Sequence, residues 1–195
     1  GSISLIESFK SSSNIVPISI TKKIGLKNII NLANSFGLGY EQKFEEFPSL
    51  AIGSYGDNLL NITNAYSAIN NNGKIQSPEI IEKIESFKKQ PIWENKSISK
   101  KILDLKINKK INKLLEKSVK EGTSKAASIK GKKIYGKTGT SDGNKDLWFI
   151  GSIDNLTTGI WIGYDDNKES ELSSGNAAYL WKKFISEIYK IPIKK

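Results

Sequence analysis

Lys132 to Tyr164 reads KKIYGKTGTSDGNKDLWFIGSIDNLTTGIWIGY, and this stretch decides the architecture. Three short runs within it, Lys132 to Thr140, Leu147 to Ile153 and Thr157 to Tyr164, are rich in β-branched and aromatic residues, which predicts strands. Asp154-Asn155-Leu156 separates the last two runs and suits a tight hairpin. Downstream, Leu180, Trp181, Phe184, Ile185 and Ile188 form an apolar stripe from about Ala177 to Tyr189, a helix that must cover the sheet.

Upstream the pattern is helical. Ile107, Ile111, Leu114, Leu115 and Val119 line one face of residues 102 to 120, with lysines opposite and Gly122 as a stop. Residues 59 to 71 repeat the pattern through Leu59, Ile62, Ala65, Tyr66 and Ile69, closed by Asn70-Asn71-Asn72-Gly73. Ser86 to Lys101 is lysine-rich and poorly periodic, which predicts a surface loop with Pro91 and Trp93 turned inward. Residues 4 to 36 are helical pieces broken at Ser11-Ser12-Ser13-Asn14. An apolar stretch (Ile15, Val16, Ile18, Ile20) follows the break, then Ile24, Leu26, Ile29, Ile30, Leu32 and Ala33 predict a buried helix face that ends near Gly37 and Gly39. No internal repeat is visible. Helices first, then a three-strand meander, then a covering helix is an α+β order, not an alternating one.

Composition narrows the chemistry. The chain has 195 residues, 37% hydrophobic and 26% charged, enough for a core without disulfide or metal staples. Cysteine and histidine are both absent. Their absence argues against a structural zinc site and excludes Ser-His-Asp and Cys-His mechanisms. Any nucleophilic chemistry must use a hydroxyl activated by lysine or a carboxylate. The net charge is +10 and all 30 basic residues are lysine. A nucleic-acid reader is expected to use arginine, so the charge reads as compositional bias and nucleic acid is not an expected partner. No run approaches the ~20 apolar residues of a membrane span. Position 1 is not methionine, so the sequence is expected to be a piece of a longer reading frame. Gly1-Ser2 fits a cloning scar and native sequence equally.

Two short motifs carry chemistry. Lys137-Thr138-Gly139-Thr140 ends a predicted strand. A lysine and hydroxyls on an edge strand make a donor-rich rim for a carboxylate. Gly139 lets a ligand approach the backbone, and the N–H after it can meet a developing oxyanion. Ser12-Ser13-Asn14 can aim a hydroxyl and an amide at one point, although such residues also make ordinary turns and caps.

Together, S-x-N followed by K-T-G is two thirds of the S-x-x-K, S-x-N, K-T-G signature of penicillin-binding proteins and class A β-lactamases. The chain resembles the transpeptidase domain of class A penicillin-binding proteins well beyond those motifs. The blocks that carry the resemblance are ISLIESFKSSSNIVPI (3–18), PSLAIG (48–53), AYSAINNNG (65–73), EGT (121–123), YGKTGTSDGNKDLWFIG (135–151), GIWIGYDD (159–166) and GNAAYLWKKF (175–184). It implies a β-lactamase/transpeptidase-like fold, with residues 1–195 as a partial domain whose S-x-x-K part lies upstream.

It further implies that Ser12 joins a proton-transfer network, Asn14 holds the acyl-donor amide and Lys137 strengthens that network. Thr138 and Thr140 would bind the carboxylate of a D-Ala-D-Ala stem peptide or of a β-lactam, beside Gly139, and the Thr140 N–H would form half of an oxyanion hole. Asp146, Trp148 and Phe149 would fix the second strand. No cofactor or metal is implied. The parent protein is expected outside the cytoplasmic membrane, anchored by a segment elsewhere, with an upstream glycosyltransferase domain possible.

Ser97-Ile98-Ser99-Lys100 matches S-x-x-K but falls between the other two motifs, in the wrong order and in a lysine-rich segment, so no nucleophile is expected within the chain. The function implied is a fragment of a serine D,D-transpeptidase, inactive alone. The alternatives are a non-catalytic scaffold of the same fold and a β-lactamase relative. Strands from the missing side would leave an open edge and an apolar face, so limited stability or self-association is expected.

Overall fold

The computed structural model describes residues 2–39 and 43–192; Gly1 of the Gly1-Ser2 start lies outside them. The chain begins with three short helices, α1 (Leu5–Lys10), α2 (Ile15–Ile24) and α3 (Leu26–Ser35). Ser4 caps α1, its hydroxyl accepting the Glu7 N–H at 3.2 Å. Gly25, at φ 84°, separates α2 from α3, a left-handed turn that few other residues adopt without strain.

Helix α4 (Leu59–Asn70) starts at Asn58, whose side chain accepts the Asn61 N–H at 2.8 Å. After it come β1 (Lys74–Ile75), β2 (Lys83–Glu85), β3 (Pro91–Glu94) and β4 (Lys100–Lys101), forming two small antiparallel ladders, β1 with β4 and β2 with β3. The expected loop at Ser86 to Lys101 is therefore partly strand. Pro91 and Trp93, expected to face inward, are exposed on β3, because among the described residues no other element packs closely on the β2–β3 ladder to receive them.

Helix α5 (Leu105–Glu121) buries Leu115 and Val119. Its buried Asn108 donates to the Ile69 carbonyl at 2.9 Å, tying α5 to the end of α4. The main sheet is β5 (Ile134–Thr140), β6 (Asp146–Ile153) and β7 (Leu156–Gly163), antiparallel in the order β5-β6-β7. Its strands start and stop within two residues of the limits read from sequence. Asp154, at φ 49°, makes the tight β6–β7 turn. Helix α6 (Ser174–Ile188), opened by a reciprocal Ser173–Asn176 capping box, closes the fold.

The core lies between one sheet face and α6. Phe149 and Trp181, both fully buried, meet edge to face at 5.3 Å between ring centroids, with Ile134, Ile153, Ala177, Ala178 and Ile185 around them. Helix α4 packs on the opposite face, where Gly159 leaves room for Thr63 and Leu59. The stripe expected on α6 is only half buried: Trp181 and Ile185 are inside, whereas Leu180, Phe184 and Ile188 are exposed. Among the described residues no helix is long and apolar enough to cross a membrane.

Candidate active site

The two motifs meet where α1 docks on the end of α5. Gly122, just after α5, makes the close approach possible: a Cβ there would lie 2.5 Å from the Lys10 carbonyl. Thr123 donates its N–H to the same carbonyl at 3.1 Å. The Lys10 ammonium bridges Glu7 (3.0 Å) and Glu121 (3.3 Å), and Glu121 also pairs with Lys117 at 2.6 Å. Bonding to Glu7 and then Glu121 raises the Lys10 pKa, and bonding to Lys117 and then Lys10 lowers that of Glu121. These pairs are exposed and add orientation more than stability. The turn after α1 is sharp, with Ser12 at φ 54° and the Ser13 N–H donated to the Ser8 carbonyl at 2.9 Å.

Across this dock the Lys137 ammonium donates to the Ser12 hydroxyl, joining residues far apart in sequence. Lys137 also donates to the Thr138 carbonyl at 3.1 Å, and its Nζ sits 5.9 Å from the centre of the Phe9 ring. Burial lowers the Lys137 pKa from 10.5 to about 8. A lysine so placed is mainly charged at neutral pH, yet gives up a proton far more readily than one in water. Thr123 Oγ1 lies 3.3 Å from Ser12 Oγ and 2.8 Å from Thr138 Oγ1, bridging the two motifs.

The backbone of β5 is set from the other side by buried serines. Ser124 Oγ accepts the Thr138 N–H at 3.1 Å and is itself 2.8 Å from Ser118 Oγ on α5. The Thr138 N–H therefore points away from β6. Strand alternation turns the Thr140 N–H to that same outer edge, and the Ser141 N–H, donated to the Asp146 carbonyl at 3.1 Å, confirms the phase. Thr138 is buried and Thr140 exposed. Gly139 pairs with Trp148 in the ladder, where a Cβ would come within 3.2 Å of the Trp148 Cβ.

Asp146 accepts from Ser141 Oγ (2.9 Å) and Trp161 Nε1 (3.0 Å), pinning the turn after KTGT, and Phe149 anchors β6 in the core. Asn14 begins α2 without using its side chain as a cap. Ser12, Lys137 and Thr138 are thus brought into one cluster, and Thr140 is placed two residues along its edge.

Ser97 goes elsewhere: its hydroxyl accepts from Gln76. Gln76, with Asn64, Asn70 and Lys74, helps line a cavity of about 470 Å³ that contains no residue of either motif. The spacing S-x-x-K also occurs at Ser19–Lys22 on α2 and Ser86–Lys89 in the β2–β3 turn, which shows how cheaply lysine-rich sequence produces it. Thr123 and Ser124 carry no site role in the sequence reading; the signal available was the Glu121-Gly122-Thr123 turn shortly before the motif strand. Among the described residues no group of three or more His, Cys, Asp and Glu is placed to hold a metal.

Residues 1–179 match the family model described as the penicillin binding protein transpeptidase domain. Penicillin-binding protein 1A of Rickettsia prowazekii is 31% identical over 87% of this chain and 24% of that protein. Penicillin-binding protein 1A of Clostridium botulinum is 30% identical over 100% of this chain, again 24% of the relative. The chain thus spans about a quarter of the length of these relatives. Among solved structures, penicillin-binding protein 1A from Haemophilus influenzae superposes with a TM-score of 0.83 at 20% identity, covering 99% of this chain and 35% of that one. Penicillin-binding protein A from M. tuberculosis, solved as an imipenem acyl-enzyme complex, gives 0.80 at 18% identity over 94% of this chain and 47% of that one.

Proposed function

The chain belongs to the transpeptidase family of penicillin-binding proteins, and from that premise we propose that it forms the substrate-rim half of a serine D,D-transpeptidase site. The observation that supports this most is the contact of Lys137 with Ser12, which assembles S-x-N and KTGT into one cluster beside an open strand edge. In this reading the acyl donor is a peptide ending in D-Ala-D-Ala, or a β-lactam. Its carboxylate binds the Thr138 and Thr140 hydroxyls and its amide is held by Asn14. Charge developing on the scissile carbonyl oxygen meets the outward Thr140 N–H. Ser12, with Lys137 beside it, passes a proton to the departing amine, and the same pair receives it back when an acceptor amine attacks the acyl-enzyme.

The acylated serine belongs to an S-x-x-K outside this chain, in a domain of which residues 1–195 are a part, and Ser97 is not that nucleophile. The intact protein is proposed to lie on the outer face of the cytoplasmic membrane, anchored by another segment and carrying a glycosyltransferase domain upstream. Hydrolysis of the same acyl-enzyme would give D,D-carboxypeptidase activity as a side reaction.

Fluorescent penicillin tests this reading. The intact protein should label stoichiometrically, and Lys137→Met should slow labelling by about a hundred-fold. The isolated 195-residue chain should not label. Labelling of the chain that disappears in Ser97→Ala would move the nucleophile to Ser97. An intact protein that never labels would leave a non-catalytic scaffold.

A further inference from the structure

Thr123 is the residue of the cluster to which the proposed reaction gives no role. Its hydroxyl stands between Ser12 Oγ and Thr138 Oγ1, at 3.3 and 2.8 Å, and in both contacts either oxygen can be the donor. The direction in which protons run along Ser12, Thr123 and Thr138 is therefore not fixed by the heavy atoms. Lys137 fixes it. An ammonium has three donors and no acceptor, so it can only donate to Ser12 Oγ. With one Ser12 lone pair so occupied, the favoured order has Ser12 donating to Thr123 and Thr123 to Thr138, which leaves the Thr138 proton for an incoming anion. A neutral Lys137 has a lone pair, and the chain is free to run backwards, with the Thr138 proton turned to Thr123.

We infer that Thr123 is a positioning residue whose hydroxyl couples the charge state of Lys137 to the ability of Thr138 to donate to a substrate carboxylate. This rests on the reading of Thr138 and Thr140 as the carboxylate rim. The two directions differ by hydroxyl rotations and one proton released from Lys137 to solvent, so no heavy atom need move. The coupling adds to the direct attraction between the ammonium and the carboxylate, which does not need Thr123.

The charged and titratable groups nearest the dock are Glu7 and Lys10 on α1, Glu116, Lys117, Lys120 and Glu121 in the last two turns of α5, Tyr135 on β5 and Asp146 on β6. Glu7, Lys10, Lys117 and Glu121 pair among themselves, Lys120 pairs with Glu116, and Asp146 serves Ser141 and Trp161. Tyr135 lies under Lys133. Burial is what lowers the Lys137 pKa to about 8, so its charge changes between neutral and moderately alkaline pH.

The test is binding of N-acetyl-D-alanyl-D-alanine to the full chain, followed by NMR titration at about pH 6.5 and about pH 9.5, on either side of the Lys137 transition. Thr123→Val keeps the shape and removes the hydroxyl, and Thr123 is exposed, so the fold should hold. It should weaken binding about ten-fold at the lower pH and less than about two-fold at the higher. Thr123→Ser should bind as the wild type, and Thr123→Ala should repeat the valine result if valine disturbs the turn. The C-terminal amide of the same peptide should show no pH-dependent loss. An equal loss at both pH values, or none at the lower, overturns the coupling and leaves the rim intact. A wild-type chain that does not bind the peptide at either pH overturns the rim, and the coupling with it.

Discussion

The two ends of this chain carry similar apolar patterns and meet different fates. From Val119 to Ile185 the pattern finds partners: Phe149, Ile153, Trp181 and Ile185 are fully buried between the sheet and α6. In α1 to α3 the same kind of pattern stays open, with Leu5, Ile6, Ile15, Ile24 and Leu32 exposed and only Ser8 and Thr21 buried. Periodicity states which face of a helix prefers burial; it does not supply the surface that accepts it. The C-terminal half contains both layers of its own core. Of the N-terminal helices, α2 packs against the turn at Pro48–Ile52 and α1 docks on the end of α5, and the second of these contacts holds the site together.

The contrast can be broken most forcefully from the core side. Trp181→Ala empties a fully buried site against Phe149 and should lower unfolding stability by about 3–5 kcal/mol in urea denaturation. Next is the dock: Gly122→Ala puts a methyl carbon against the Lys10 carbonyl and should cost about 1–3 kcal/mol. Its signature is local, faster amide exchange at Ser13 and Thr123 without matching change at Phe149. Equal loosening of both regions would show that they are one cooperative unit.

A smaller effect comes from Lys137. Its native pKa of about 8 lies below the ordinary 10.5, so between these values the unfolded chain holds more protons and stability rises with pH. After allowance for solvent the rise should be on the order of 1 kcal/mol, and Lys137→Met should abolish it. Above about pH 10 the sign reverses through Tyr66, whose phenol is pushed up to about 12 by burial, so that the unfolded state loses its proton first. The smallest effect belongs to the open region: Ile15→Ala, at a site 79% exposed, should change stability by less than about 0.5 kcal/mol. A larger loss would mean that α2 is buried by something in solution.

Much of this is legible in the sequence. The meander, α5 and the site of α6 follow from local pattern, and local pattern is what a sequence displays. The family, and with it the expectation that S-x-N and KTGT converge, came from collinear blocks. The misses share a cause. Trp93 and the outer stripe of α6 were expected inside because they are apolar, but burial depends on a neighbour that no local window contains. Thr123 and Ser124 were invisible as site residues because their roles depend on a dock between α1 and α5, and on which edge of β5 faces outward.

Ser12 sits where two unrelated requirements overlap. Its left-handed backbone is tolerated best by Gly, Asn and Asp, while its bonds to Lys137 and Thr123 call for a hydroxyl. Threonine keeps the hydroxyl and brings a β-branch that this conformation rejects; glycine suits the conformation and has nothing to bond. Serine is the compromise common to both demands. A position of this kind has almost no neighbours in substitution space, so a chain that gave up catalysis would be free to relax here first.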